Sequence, residues 1–497
     1  MQLPPELSRV RAERRIQAAF RLATRWRTPP SVRAVGLVLG PVLFGLIMLF
    51  PPAEGLSADG RTTAAVAVWM AVWWVCRAVP LAATALLPLL LFPALGVTDA
   101  TSTASSYVSG VIFLFLGGFV LAAGVQRWGL HRRLAHAVVP RTPQPAARVL
   151  LSFMVATAFL SMWMSNTAAA MVMLPVAAEV IPRPETSRPA ARAGTAFMLG
   201  VAYAASVGGI ATLIGSPPNA VFAGYAREVL GEPVTFLRWM AWGLPVAVVG
   251  LAVTWFFLSR VAYRELRVLR IGRGDEDLSR RSPGVEERRV LVVFGGVVAL
   301  WLGRGLIGPL ATHLTDEGVA LAGAALLLLL PARGIRGERL LHPRDLRRLP
   351  WGILVLFGGG IALAGAIESS GLAGWIGGRV TLLDALPAIV VLLALVLVTI
   401  FLTELASNTA TAAVLIPIAH GAATVAGLVP LEVTVAVTVA ASCAFMLPVA
   451  TPPNAVVFAS GRVTLGQMLR AGLVLNVLLA VVVATAVRTW LPLAWPG

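Results

Sequence analysis

The sequence predicts an all-α polytopic membrane protein of about eleven transmembrane helices plus two re-entrant helical hairpins, arranged as an inverted repeat. Three observations carry this. The 497 residues are 58% hydrophobic and 13% charged, and apolar runs reaching the ~20 residues needed to cross a bilayer recur from end to end. A polar triplet stands twice in apolar surroundings: Ser165-Asn166-Thr167 in SMWMSNTAAAMVMLPVA and Ser407-Asn408-Thr409 in TELASNTATAAVLIPIA. The copies are 242 residues apart, each followed at the same distance by a proline, Pro175 and Pro417. A Pro-Pro-Asn turn also recurs, in GSPPNAVFAGY from Gly215 and ATPPNAVVFAS from Ala450.

The elements follow in order. Residues 1–33 form a basic cytoplasmic segment, read as an inner-leaflet amphipathic helix or a disordered basic tail. A first half, 34–262, opens with a helix at 35–51 running outward, one at 62–77 running inward, one at 79–95 outward and one at 108–127 inward. A hairpin follows at 148–182, then a broken helix at 193–225 and a returning helix at 236–262. A cytoplasmic linker occupies 263–289; nine arginines lie from Arg260 to Arg289. The second half, 290–497, holds helices at 290–308, 317–331 and 351–368, a hairpin at 384–420, a broken helix at 430–460 and a last helix at 464–490 running outward. The first apolar run, Val35 to Phe50, lacks a small-residue cleavage site, so no cleavable signal peptide is expected.

Charge sets the orientation. The net charge of +17 comes from 40 basic residues, all arginine. The placement above puts all but six of them inside, the exceptions being Arg61, Arg227, Arg238, Arg304, Arg379 and Arg488. This gives a multi-pass protein of the plasma (cell inner) membrane, with its N-terminus cytoplasmic and its C-terminus outside. It leaves no basic groove for nucleic acid. The count works only if residues 148–182 enter and leave on the cytoplasmic side, hence the re-entrant reading. Irregular backbone at membrane depth must be buried in protein or face water.

The repeat extends beyond the motifs. FLGGFVLAAGVQRWGL at 115–130 aligns with FGGGIALAGAIESSGL at 357–372, again offset by 242. These two helices run in opposite directions in the topology above, so the repeat is inverted. Such repeats with broken helices place a transport site near the midplane. Cys76 and Cys443 lie in apolar segments and offer neither disulfide nor metal site. Histidines 131, 136, 313, 342 and 420 show no metal-ligand spacing on one helix face. Trp73, Trp74, Trp239, Trp242, Trp490 and Trp495 sit near span ends and read as interface anchors, Trp69 as mid-span packing.

Helices that begin at the SNT triplets and at the Pro-Pro pairs aim free N–H groups and partial positive charge at the midplane. Four such ends suit an anion with two separated negative groups. Ser161, Ser165, Asn166, Thr403, Ser407 and Asn408 offer oxygens, joined by the Gly215 and Ala450 carbonyls. Hard oxygens with no carboxylate at the first site suit a monovalent cation. Neither tip carries a cationic side chain, so co-bound Na⁺ offsets the charge of a buried dianion. Glu404 stands where the first half has Met162. It either tunes the second cation site, carries a proton or, the favoured reading, is hydrogen-bonded to the hairpin backbone. It is the one acidic residue clearly at depth, too little for an enzyme, and paired Pro-broken helices fit alternating access better than a channel.

At these residues the chain resembles the divalent anion/sodium symporter family, the INDY-type di- and tricarboxylate carriers, from about residue 35 to the C-terminus. The resemblance implies a homodimer whose transport domains move as elevators against a scaffold. It implies a first Na⁺ site at Ser161, Ser165, Asn166 and Gly215, and a second at Thr403, Ala406, Ser407, Asn408 and Ala450. Substrate carboxylates would meet Asn166, Thr167, Asn408, Thr409, Thr451 and Pro452. The expected function is Na⁺-coupled symport of C4-dicarboxylates (succinate, malate, fumarate). The alternatives are a sodium-independent exchanger, or a carrier of citrate, sulfate, arsenite or another oxyanion.

Overall fold

The computed structural model describes residues 30–140, 142–181, 187–271, 284–303, 314–332, 338–379, 387–425 and 428–495. The helix or tail expected within residues 1–29 lies outside them. The described chain is almost wholly helical. Its one sheet is a two-stranded antiparallel clip, Gln144–Pro145 against Arg270–Ile271, which ties the entry of the first hairpin to the start of the linker.

Among the described residues six helices are long and apolar enough to cross a membrane: Pro30–Leu49, Ala100–Arg127, Phe236–Ala262, Trp351–Ser369, Ala388–Leu405 and Leu465–Thr489. Pro30–Leu49 buries only Gly36 and Gly40, as suits an outer helix facing lipid. The run expected as one helix at 79–95 is two pieces, Leu81–Thr84 and Leu87–Ala94. Pro80 and Pro88 both sit where a helix starts, and a proline there cannot continue the ladder of the preceding turn. Val285–Gly303 begins inside the segment read as linker, because Glu286 and Glu287 fall in its first turn, where negative charge is favourable.

The centre is built from the interrupted segments. Arg188–Gly208 and Pro217–Glu228 form the first broken helix, Pro430–Ala440 and Pro452–Ala459 the second. Residues 193–216 and 432–445 are buried without a gap, as befits helices apolar on every side. Each hairpin leans on both of them. Ala146–Ser161 packs along Arg188–Gly208, while Asn166–Val180 touches Arg188–Gly208 and also Pro452–Ala459. Asn408–Val425 packs on Pro430–Ala440 and also on Pro217–Glu228. The second arm of each hairpin thus meets the Pro-Pro helix of the opposite half.

Small residues permit this. Between lipid-embedded helices close packing replaces much of the hydrophobic drive. A Cβ at Gly208 would lie 2.4 Å from Ala158 Cα, and one at Gly472 2.3 Å from Phe445 O. Both glycines therefore let backbone approach backbone beside a helix break.

The tryptophan reading needs correction. Trp74, Trp239, Trp242 and Trp495 are buried, and only Trp490 of the six is exposed. Trp239 Nε1 donates to Ile210 O at 2.9 Å in the first helix break, and Trp74 Nε1 to Leu81 O at 3.2 Å. Position near a span end does not separate an indole facing lipid from one that satisfies an unwound carbonyl inside the bundle.

Candidate functional site

The two hairpin turns are built alike. Ser165 has extended backbone, and its Oγ accepts the Ala168 N–H at 3.3 Å, capping Asn166–Val180. In the second hairpin Ala406 is extended, Ser407 O accepts the Thr411 N–H at 2.8 Å, and the helix starts at Asn408. Each triplet therefore stands at a helix N-terminus, with its asparagine as first residue.

Each asparagine meets the hydroxyl five residues before it, and each of those hydroxyls meets a carbonyl of the broken helix. Ser161 Oγ donates to Ala205 O at 2.6 Å. A hydroxyl has one proton, so the Asn166 amide turns its nitrogen inward. It then shares its protons among Ser161 Oγ at 2.7 Å, Gly215 O at 3.1 Å and Ala205 O at 3.3 Å. Thr403 Oγ1 lies 2.9 Å from both Asn408 Oδ1 and Ala441 O. Ser161 and Thr403, Asn166 and Asn408, Ala205 and Ala441 are matched groups, with the Asn166 amide turned nitrogen inward and the Asn408 amide oxygen inward. A Cβ at Gly209 would fall 2.6 Å from the Asn166 amide; glycine leaves that space to it.

Asn219 and Asn454, both fully buried, hold the breaks in shape. Asn219 Nδ2 donates to Gly209 O at 3.1 Å and Thr212 O at 2.8 Å. Asn454 Nδ2 donates to Ala444 O and Leu447 O, both at 3.1 Å. In each case the amide nitrogen bridges two unwound carbonyls, which offsets the cost of burying that nitrogen. Pro217 and Pro452 stand at the first helical position, as expected. Thr451 Oγ1 accepts the Asn454 N–H at 3.3 Å as a cap. Ser216 does not cap its helix; its Oγ is 2.9 Å from Ser442 Oγ, joining the two breaks.

The structure brings together Ser161, Asn166 and Gly215 in one cluster and Thr403 and Asn408 in the other. Ser165 is a cap, and its side chain is exposed. Thr409 and Thr451 are buried, Asn166, Thr167, Ser407 and Asn408 half-buried, and Pro452 exposed. Ala406 and Ala450 are buried beside the second tip and the second Pro-Pro pair.

Sequence reasoning missed several participants. The Ala205 and Ala441 carbonyls carry no side-chain clue. Asn219 and Asn454 could have been found, because the Pro-Pro-Asn turn repeats with its asparagine in step. A fixed cation comes from elsewhere: Arg77, at the end of Ala58–Cys76, donates from Nη2 to Val449 O at 3.2 Å. Glu404 is buried and accepts from Phe445 N at 2.7 Å, Met446 N at 2.8 Å, Leu447 N at 3.0 Å and Asn476 Nδ2 at 2.9 Å. The favoured reading holds in kind, but the backbone it binds is that of the second helix break, not that of its own hairpin.

Broken helices, crossed hairpins and two matched oxygen clusters inside an apolar bundle define a multi-pass membrane transporter rather than an enzyme. The chain belongs to the family described as the sodium:sulfate symporter transmembrane region, whose model matches residues 31–495. The resemblance drawn from the SNT motifs is borne out. A sodium-dependent dicarboxylate transporter, SdcS, of Staphylococcus saprophyticus is 37% identical over 479 residues, covering 92% of this chain and 91% of that one. SdcS of Staphylococcus aureus is 36% identical over 476 residues, with 92% and 91% covered. Among solved structures, the YdaH transporter of Alcanivorax borkumensis superposes with a TM-score of 0.55 at 15% identity, over 82% of this chain and 89% of that one. MtrF of Neisseria gonorrhoeae gives 0.56 at 13%, over 95% and 97%. At such identities these two show the fold alone.

Proposed function

We propose that the chain is a secondary active transporter of the plasma membrane that couples Na⁺ entry to uptake of C4-dicarboxylates such as succinate, malate and fumarate. The single observation that carries the reading is the matched pair of oxygen clusters, Ser161–Asn166–Ala205–Gly215 and Thr403–Asn408–Ala441. Turning the Asn166 amide over presents Oδ1 to the same oxygens, and the result is an uncharged, all-oxygen lining suited to Na⁺. The N-termini at Asn166 and Pro217 lie side by side through the Asn166–Gly215 contact and favour a carboxylate. Those at Asn408 and Pro452 serve the other end of the substrate. The relatives named as sodium-dependent dicarboxylate transporters support the same pairing of ion and substrate.

In this reading Ser161, Asn166 and Gly215, with Ala205, hold one Na⁺. Thr403, Ala406, Ser407, Asn408 and Ala450, with Ala441, hold another. Asn166, Thr167, Asn408, Thr409, Thr451 and Pro452 face the substrate. Ser165 contributes as the cap that aims the first triplet. The two segments with SNT tips are re-entrant hairpins of an inverted repeat, in a homodimer in lipid with the N-terminus inside. Movement is of the elevator type, with hairpins and broken helices travelling as one body. The test is a substitution of either asparagine: Asn166→Ala or Asn408→Ala is expected to abolish Na⁺-driven succinate uptake while leaving the protein folded. Normal uptake by either purified variant overturns the site.

A further inference from the structure

We propose that Glu404 is a positioning residue that sets the sodium affinity of the second-half site, an inference that rests on the symport reading above. The two halves fasten hairpin tip to helix break by different chemistry. In the first half the fastening is neutral: the Thr212 hydroxyl donates to the Met162 carbonyl, and the Ile210 and Ala211 N–H groups return to Val207 O and Gly208 O within the turn. Thr212 corresponds to Leu447 and Met162 to Glu404, so the second half has lost the hydroxyl and gained a carboxylate. That carboxylate gathers three consecutive N–H groups, of Phe445, Met446 and Leu447, and a fourth bond from Asn476 on Leu465–Thr489.

Successive backbone N–H groups form a concave anion seat, and charge-assisted bonds to it are about twice as strong as neutral ones. Glu404 therefore pins the loop that runs from Ala441 to Ala450, and the Ala441 carbonyl at its start meets the Thr403 hydroxyl of the second cluster. It also directly follows Thr403, the hydroxyl of that cluster. A pinned loop fixes Ala441 O against Thr403 and Asn408 before the ion arrives, so less ordering accompanies binding. The first-half site lacks this fastening, and the two sites are unequal.

The test compares wild type with Glu404→Gln, Asn476→Ala and the double variant Glu404→Met/Leu447→Thr, which installs the first-half chemistry in the second half. Uptake of labelled succinate into proteoliposomes is measured against Na⁺ concentration, against succinate at saturating Na⁺, and against pH. Glu404→Gln is expected to raise the half-saturating Na⁺ concentration about tenfold, the loss of one hydrogen bond to a charged group. The KM for succinate at saturating Na⁺ is expected to stay within about twofold. Asn476→Ala shifts the Na⁺ dependence the same way but less, and the double variant recovers part of it. An unchanged Na⁺ dependence in Glu404→Gln overturns the inference. So does a changed pH profile with unchanged Na⁺ dependence, which makes Glu404 a proton carrier, or a succinate KM that rises as far as the Na⁺ value. If Glu404→Gln does not fold, Asn476→Ala decides, and an unshifted Na⁺ dependence there overturns it. A wild-type protein with no Na⁺-driven uptake overturns the symport reading itself, and this inference with it.

Discussion

Replacing Asn219 by alanine removes two hydrogen bonds from the first helix break and touches neither oxygen cluster directly. Its Nδ2 reaches Gly209 O at 3.1 Å and Thr212 O at 2.8 Å from a fully buried position. Each bond contributes about 0.5–1.5 kcal/mol net, and leaving a buried carbonyl short of a partner adds about 1–3 kcal/mol. The sum, about 2–6 kcal/mol, corresponds to a fall in melting temperature of roughly 2–6 °C at about 1 °C per kcal/mol for a chain of this size. Asn219→Asp keeps the shape but faces both carbonyls with an acceptor, so it falls at least as far. Asn454→Ala is the internal control: with two bonds of 3.1 Å to Ala444 O and Leu447 O, it should lose a similar amount. The assay is thermal unfolding of purified protein in detergent, followed by tryptophan fluorescence. Melting of both alanine variants within ~1 °C of wild type would refute the role given to the Pro-Pro-Asn turn.

Three further outcomes are expected. Gly209→Ala puts a Cβ 2.6 Å from the Asn166 amide and 3.0 Å from Gly215 O; Na⁺-driven uptake should fall by at least about tenfold while the melting temperature moves little, and unimpaired uptake counts against the first cluster. Ser216→Ala removes the bond to Ser442 that joins the two breaks, so uptake should fall and the melting temperature drop by an amount matching about 1 kcal/mol, as read by the same melt and the same uptake assay. Stability should also fall in acid through Asp345. Burial raises its pKa, but the His342 N–H and the Arg127 guanidinium outweigh that and hold it below the ordinary carboxylate value. A depressed carboxylate stabilises fully above its unfolded pKa and loses that contribution as pH falls through its folded value. Asp345→Asn should therefore flatten the acid limb of a melting-temperature profile and change nothing near neutrality that the lost Arg127 pair does not explain.

Much of the fold was legible because the bilayer narrows the choices. Apolar run length pointed to five of the six helices of crossing length among the described residues, Ala388–Leu405 being read as a hairpin arm, and the repeated SNT and Pro-Pro-Asn motifs pointed to the four helix starts at the centre. Side-chain members of the clusters, Ser161, Asn166, Thr403 and Asn408, were legible for the same reason: polar groups in apolar segments stand out. What stayed hidden is what backbone and distant packing supply. The carbonyls of Ala205 and Ala441 look like any other alanine. Arg77 reaches Val449 from 372 positions away, and nothing in its own neighbourhood announces that contact. Glu404 was conspicuous, but its partners lie 41 to 43 residues on and on a further helix at Asn476. Trp74, Trp239, Trp242 and Trp495 failed as anchors because depth along a helix says nothing about which face meets lipid.

The proposed symport requires Na⁺ to occupy the two oxygen clusters and drive the substrate inward. The most direct measurement is uptake of labelled succinate into proteoliposomes of the purified protein, with and without an inward Na⁺ gradient. Uptake that requires the gradient, and that Asn166→Ala and Asn408→Ala abolish, is the predicted result. Uptake without Na⁺ but dependent on internal dicarboxylate would contradict it and make the protein an exchanger.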